Sequence, residues 1–311
     1  MPKMTAQTPI RPRAIEKGAR VALVAPGGPV SSERVQLSIE RCRTLDLEPV
    51  VYAGAHQRTG YLAGPDRQRL ADLQDALNDD SIAAVWALRG GYGTTRILRQ
   101  LDLTRARTRP KPFIGFSDNT AVHALFAKHG LVSFHGPHPG AAFPPETEAA
   151  FRRVLFQRHP AGELPVRAVD PQPRTLRAGQ VEAPLVGGNL ALLAALCGTF
   201  AAVQARDHIL FLEDTGEAPY RLDRLLVQLK EAGVLTGVLG LALGRFNASS
   251  YESQDEVYAL MQEVADWVDV PAVLDLPIGH VDHNWTLPVG VRASLDADGG
   301  RLIIMEAAVT E

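Results

Sequence analysis

Strand and helix signals alternate without a break through the first half of this chain, and that rhythm constrains the fold more than any single residue. Residues 21–25 form a short apolar run, followed by the turn Pro26-Gly27-Gly28-Pro29 and a helical stretch through Leu45. Residues 49–53 read as the next strand, 66–77 as a helix with Leu70, Leu73 and Leu77 on one side, and 82–88 as a strand leading into Arg89-Gly90-Gly91-Tyr92-Gly93. A helix through Leu101, a strand over 113–116 with its own helix, and a strand over 131–134 continue the series. Strands separated by helices imply crossover connections and a mostly parallel, doubly wound sheet. In such sheets ligands sit beyond the carboxyl ends of the strands. Pro26, the Gly90-Gly91 pair and Ser117 all fall at such ends.

Ser117 is the most informative of these. It stands between the buried run 113–116 and a helix in which Ala121, Val122, Leu125 and Phe126 recur at helical spacing, with Gly130 as a stop. A serine on a tight strand-to-helix turn exposes its hydroxyl at the rim of the sheet. Neighbouring N–H groups and the positive end of the helix are then available to an oxyanion. Taken locally, a helix cap is the commoner role for such a serine.

The second half is organised differently. Residues 140–180 turn rich in Pro, Arg and Ala and read as a junction holding one helix, near 146–156. Beyond it come a strand over 183–186, a Gly187-Gly188 turn, a helix through Ala195, a strand over 209–212 ending at Glu213, and a helix over 220–231. Further strands at 238–243 and 272–276 flank a helix over 257–268, and a hairpin through Asp298-Gly299-Gly300 closes the chain. The expected architecture is α/β: a mostly parallel doubly wound N-terminal domain over 1–140, a junction over 141–180, and a smaller mixed α/β domain over 181–311.

Composition narrows the function classes. Of 311 residues, 46% are hydrophobic, which supports a substantial core, and a net charge of −3 without long runs of one sign argues against nucleic acid as a partner. Two cysteines, Cys42 and Cys197, build neither a disulfide framework nor a four-thiolate zinc site, and Cys197 lies in an apolar stretch that suggests an inert core thiol. The polar, basic segment 1–20 has no apolar signal region, and no apolar run approaches ~18 residues, so a cytoplasmic protein without a membrane segment is expected.

A serine nucleophile needs a base and an orienting acid, recognised by geometry and not by chain order. Among nine histidines, His56, His159 and His208 read as surface residues, and His123 and His129 as lying on an outer or junction face of the helix after Ser117. His135 with His138, and His280 with His283, form two loop pairs. Two such pairs allow a rival reading, a zinc site with an open position, although neither has the i, i+4 helical spacing of a zinc protease motif. Glu213, at the end of an apolar strand and followed by Asp214, Thr215 and Gly216, can reach a histidine on a neighbouring loop or simply mark the sheet edge. Glu217 reads as a solvated charge. The Gly90–Gly93 cluster fails the dinucleotide pattern, no phosphate-binding Gly-Lys-Ser/Thr element is present, and no cofactor is implied.

Together these segments resemble the LD-carboxypeptidases, the serine peptidase family that includes murein tetrapeptide carboxypeptidases and microcin-immunity hydrolases. The resemblance runs from residue 21 to the C-terminal hairpin. It is carried by Tyr61-Leu62-Ala63-Gly64, residues 86–93, Ile114-Gly115-Phe116-Ser117-Asp118 and His135-Gly136-Pro137. Gly187-Gly188-Asn189-Leu190, Leu212-Glu213-Asp214, Gly279-His280 and Leu287-Pro288-Val289-Gly290 extend it. It implies Ser117 as nucleophile, His280 as general base, Glu213 as the orienting acid, and an oxyanion hole from the N–H groups of Gly91 and Asp118. It implies a small murein-like peptide as substrate, hydrolysis of the bond before a C-terminal D-amino acid, no cofactor or metal, and a homodimer. Two departures stand out: Gly27-Gly28 replaces the family's usual serine after the first strand, and His283 stands where a small polar residue is common. A microcin-immunity amidase acting on peptidyl- or aminoacyl-nucleotides is the alternative within the family. A two-lobed small-molecule binding protein is the non-enzymatic reading.

Overall fold

The computed structural model describes residues 8–164, 171–247 and 254–311. Fourteen strands are found in the described residues. The first seven are β1 Arg20–Val24, β2 Glu48–Val51, β3 Ala84–Ala87, β4 Phe113–Gly115, β5 Ser133–His135, β6 Gly162–Glu163 and β7 Arg174–Arg177. The others are β8 Gln180–Asn189, β9 Ile209–Thr215, β10 Gly240–Asn247, β11 Ala272–Leu274, β12 Leu287–Val289, β13 Arg292–Asp296 and β14 Arg301–Ile304. They form a six-stranded sheet in the order β12-β5-β4-β3-β1-β2 and an eight-stranded sheet in the order β6-β14-β13-β8-β9-β10-β11-β7.

The first sheet is parallel from β2 through β5, as the strand–helix alternation predicts. Its strands β3 and β4 are buried along their whole length, which suits the apolar runs Ala84–Ala87 and Phe113–Gly115 to a sheet covered on both faces. Helix Ser32–Thr44 follows β1, its first turn capped by the Ser31 side chain accepting from the Arg34 N–H. Helix Asp66–Asn78 follows β2. After β3 the single helix through Leu101 that the spacing suggested is instead broken into the four-residue helix Thr94–Ile97 and a short 3-10 turn, and a second short helix, Thr104–Thr108, precedes β4. Because strand order turns back between β1 and β3, the loops leaving these strands diverge and open a crevice at their carboxyl ends.

The second sheet is mixed, with β8, β9, β10 and β11 parallel and antiparallel strands at both edges. Gly187-Gly188, expected as a turn, lies inside the ten-residue strand β8. The two glycines have φ of +149° and +147°, and a Cβ on Gly187 would lie 1.9 Å from the Phe211 carbonyl oxygen, so glycine here lets β9 approach closely. The junction region holds β6, β7 and helix Pro145–Leu155, whose Phe151 stacks on Trp86 of β3 at 4.8 Å between ring centroids. The first sheet also gains a strand not anticipated from sequence: β12, from far down the chain, pairs antiparallel with β5.

Helix Thr120–Lys128 packs against β8 and against helix Leu190–Leu196, so the apolar core continues from one sheet to the other. All of its residues from Thr120 to Phe126 are buried. His123 therefore does not lie on an outer face. It is fully buried, with Nε2 on the Gly115 carbonyl at 2.8 Å and Nδ1 on Ser133 Oγ at 2.9 Å. Cys42 is the buried thiol, pushed up to about 12 by burial, whereas Cys197, expected in the core, is half-buried at the end of its helix. No helix among the described residues is long and apolar enough to cross a membrane.

Candidate active site

Ser117 stands two residues beyond the end of β4 and opens the 3-10 turn Ser117–Asn119 that leads into helix Thr120–Lys128. Its φ is +62°, a left-handed conformation that is uncommon for a residue with a side chain, costs about 1–3 kcal/mol and persists only where the surrounding structure imposes it. The expected strand-to-helix elbow is thus present, with Ser117 partly exposed and Asp118 and Asn119 buried beneath it. The loop after β3 lies directly against the serine. A Cβ on Gly90 would be 2.7 Å from Ser117 Cβ and 2.8 Å from Oγ, so only glycine fits. Gly91 has φ of +86°, and the Gly28 N–H donates to the Gly90 carbonyl at 2.8 Å, joining the loops after β1 and β3. A Cβ on Gly27 would lie 2.6 Å from Asp118 Oδ2, so the departure to Gly27-Gly28 goes with tight packing of this rim.

Glu213, near the end of β9, is completely buried, and its Oε2 accepts from His280 Nδ1 at 2.8 Å. Gly279, at φ of +97°, makes room for it: a Cβ there would lie 2.1 Å from Glu213 Oε2. The next residue, Asp214, faces the start of helix Leu190–Leu196 and accepts from the Ala191 N–H at 2.9 Å and Asn189 Nδ2 at 3.1 Å. Burial, and then the neighbouring Glu213 charge, push its carboxyl up to about 6. For His280, burial disfavours the imidazolium, but the hydrogen bond and charge of Glu213, with Asp214 behind, outweigh it and hold the pKa above the ordinary histidine value. Such a pair fixes the tautomer: Nδ1 carries its proton toward the carboxylate and leaves Nε2 as the basic nitrogen.

The His280 ring meets Phe116, the residue before Ser117, edge to face at 4.8 Å between centroids. The fold thus brings His280, from the loop between β11 and β12, to Glu213 of the second sheet and to the neighbour of Ser117 in the first. Among the described residues no hydrogen bond joins Ser117 to His280. Beside His280 opens a pocket of about 320 Å³ lined by Arg245, Asn247, Pro277, Val281, Asp282 and His283.

The histidine pairs do not converge as metal ligands. His138 turns Nδ1 to the Ala87 carbonyl at 3.1 Å and stacks on Phe116, His135 is enclosed among aromatic rings, and His283 points toward Glu146 at 3.8 Å. Burial holds His138 at about 3 and His135 well below the usual range, so both are neutral. No group of three His, Cys, Asp or Glu side chains placed to hold a metal occurs among the described residues. Sequence reading passed over Thr94, Asn119 and Arg69, which contact the loops around Ser117. In sequence they are unremarkable polar positions in short or amphipathic helices.

Residues 21–136 match the LD-carboxypeptidase N-terminal domain and 182–295 the LD-carboxypeptidase C-terminal domain. The chain belongs to the LD-carboxypeptidase family. The murein tetrapeptide carboxypeptidase of Pseudomonas aeruginosa is 36% identical, the match covering 91% of this chain and 94% of that one. The structure of a muramoyltetrapeptide carboxypeptidase from Oxalobacter formigenes superposes with a TM-score of 0.81 at 32% identity, over 94% of this chain and all of that one. The microcin C7 self-immunity protein of Escherichia coli is 27% identical over 79% of this chain and 80% of its own length. The family is one of peptide hydrolases, and its two-domain α/β architecture is the one observed.

Proposed function

We propose that this chain is a serine-type LD-carboxypeptidase that releases a C-terminal D-amino acid, D-alanine foremost, from a murein tetrapeptide. The observation that carries the reading is the hydrogen bond between buried Glu213 and His280 Nδ1, set against the ring next to Ser117. Relatives named for murein tetrapeptides support the substrate. In this mechanism His280 Nε2 takes the Ser117 proton as Oγ bonds to the scissile carbonyl carbon. The N–H groups of Gly91 and Asp118 receive the oxyanion. The imidazolium then gives its proton to the departing amine as the C–N bond breaks, leaving an acyl ester on Ser117. Water, deprotonated by the same nitrogen, attacks the ester, and the serine recovers its proton. Glu213 keeps the imidazole oriented and stabilises its transient positive charge. Neither a metal nor a cofactor takes part. Action in the cytoplasm and assembly as a homodimer belong to the same reading, and the homodimer rests on family likeness.

The test is Ser117→Ala assayed on L-Ala-γ-D-Glu-diaminopimelate-D-Ala, with an aminoacyl sulfamoyl adenosine in parallel. Wild type is expected to release D-alanine, and the variant to lose on the order of a millionfold in turnover, as serine triads do. Release of D-alanine by the variant at a near wild-type rate removes the nucleophile assignment. Hydrolysis of the nucleotide conjugate alone moves the chain to the microcin-immunity branch.

A further inference from the structure

We infer that Thr94, bonded to Asp118, and Asn119 are positioning residues that splint the loop 89–94 onto the turn at Ser117, so that the Gly91 and Asp118 N–H groups converge. This rests on the proposed function, in which those groups bind the oxyanion. The loop is loose by composition: three of its six residues are glycines, and Gly91 and Gly93 have φ of +86° and +138°. The helix that follows it, Thr94–Ile97, has four residues and offers little anchorage of its own. Donors in such a loop stabilise a transition state only if they are held before the reaction starts.

The anchorage comes from the two residues after Ser117, one at each end of the loop. At the leading end, Asn119 Nδ2 donates to the Arg89 carbonyl at 3.2 Å and to the Phe116 carbonyl at 3.0 Å. At the trailing end, the Thr94 N–H donates to Asp118 Oδ2 at 2.9 Å, and Thr94 Oγ1 lies 2.6 Å from the Asp118 carbonyl and also contacts Oδ2. Thr94, Asp118 and Asn119 are all fully buried, so water does not compete for these bonds. From behind, the buried guanidinium of Arg69 donates to the Gly93 carbonyl at 2.9 Å and to the Pro26 carbonyl, tying in the loop after β1. The arrangement costs a desolvated carboxylate and a left-handed serine. A turn that merely linked a strand to a helix would need neither.

Thr94→Val keeps the shape and the backbone N–H and removes the hydroxyl bonds, Thr94→Ser restores the hydroxyl, and Asn119→Ala frees the other end. Each is compared with wild type by kcat and KM on the LD-tetrapeptide, by the rate at which a fluorophosphonate labels Ser117, and by thermal melting. Labelling needs the nucleophile and the oxyanion donors whatever the natural substrate is. Thr94→Val is expected to lose about 100-fold in kcat and in labelling rate, with KM within about threefold, because a misplacement near 1 Å costs about that much. Thr94→Ser should recover most of the loss, and Asn119→Ala should show a smaller loss of the same kind. Labelling at the wild-type rate in both Thr94→Val and Asn119→Ala, or an equal loss in Thr94→Ser and Thr94→Val, overturns the inference. If Thr94→Val does not fold, Asn119→Ala decides alone. Wild-type protein that labels but leaves the tetrapeptide intact refutes the substrate and leaves the labelling rates to judge the splint. Wild-type protein that does not label refutes both.

Discussion

Replacing Gly90 with alanine adds a single methyl group at the point where the loop after β3 meets Ser117. That carbon would lie 2.7 Å from Ser117 Cβ, 2.8 Å from Oγ and 3.0 Å from the Asp118 nitrogen. Carbon atoms in contact settle at ~3.5–4.0 Å, so about 1 Å of space has to open. The loop yields little, because the Gly90 carbonyl is held by the Gly28 N–H at 2.8 Å and the Arg89 carbonyl by Asn119 at 3.2 Å. The turn yields little either, since its flanking residues are buried and hydrogen-bonded. Turning Oγ away relieves only one of the three contacts, so the loop and the turn share the remaining strain and Ser117 Cβ, fixed to the backbone, carries the hydroxyl off its productive position. A displacement near 1 Å costs about 100-fold in rate, or about 2.7 kcal/mol in the barrier. D-alanine release, followed through coupled oxidation of the product, reads kcat/KM, and a thermal melt confirms the fold. Gly130→Ala serves as the control: its φ is +70° and no atom lies within 4 Å of the added carbon, so it strains the backbone far from the site and leaves kcat unchanged. A Gly90→Ala protein with kcat/KM within about threefold of wild type would refute the reasoning, since that falls far short of the expected loss.

Other outcomes follow from the same structure. Neutral His280 is the active base, so activity climbs as pH rises through its pKa, which Glu213 holds above the ordinary histidine value. Glu213→Gln removes the larger raising influence and leaves Asp214 alone against burial, so the acid limb of kcat/KM should move to lower pH while kcat falls on the order of 10⁴-fold; an unmoved limb would detach Glu213 from the base. Trp86 Nε1 donates to the Pro137 carbonyl at 2.9 Å in a fully buried site, so Trp86→Phe should cost about 1–3 kcal/mol in urea unfolding. Ellman's reagent should find one reactive thiol in native protein, half-buried Cys197, and two in guanidinium, because Cys42 is sealed in the core.

The parallel first sheet was legible because each of its strands is an apolar run followed by a turn and a helix. Ser117 and Glu213 were legible because both close such runs. The hydrogen-bonded contact of His280 with Glu213 was not visible in spacing alone: 67 positions separate the two, and only the family resemblance paired them. β12 escaped notice because three residues around Pro288 make a weak strand signal, and nothing local says which sheet they join. Gly187-Gly188 misled because glycine pairs usually mark turns, while here they admit a neighbouring strand. His123 misled because a helix buried on every side has no polar face against which to place a histidine. The splint is hardest to foresee. Thr94 and Asp118 stand 24 positions apart and meet only because β3 and β4 are neighbours.

The route of the chain around the histidine has a mechanical consequence. Between β11 and β13, both in the second sheet, it detours to lay down β12 beside β5. The span carrying His280 is thus moored to one sheet at its start and to the other at its finish. Cutting the protein at the junction would therefore separate β12 from the other five strands of its sheet and leave the His280 span moored at its start only. The hydrogen bond between His280 and Glu213 thus sits on a segment whose two ends belong to different sheets.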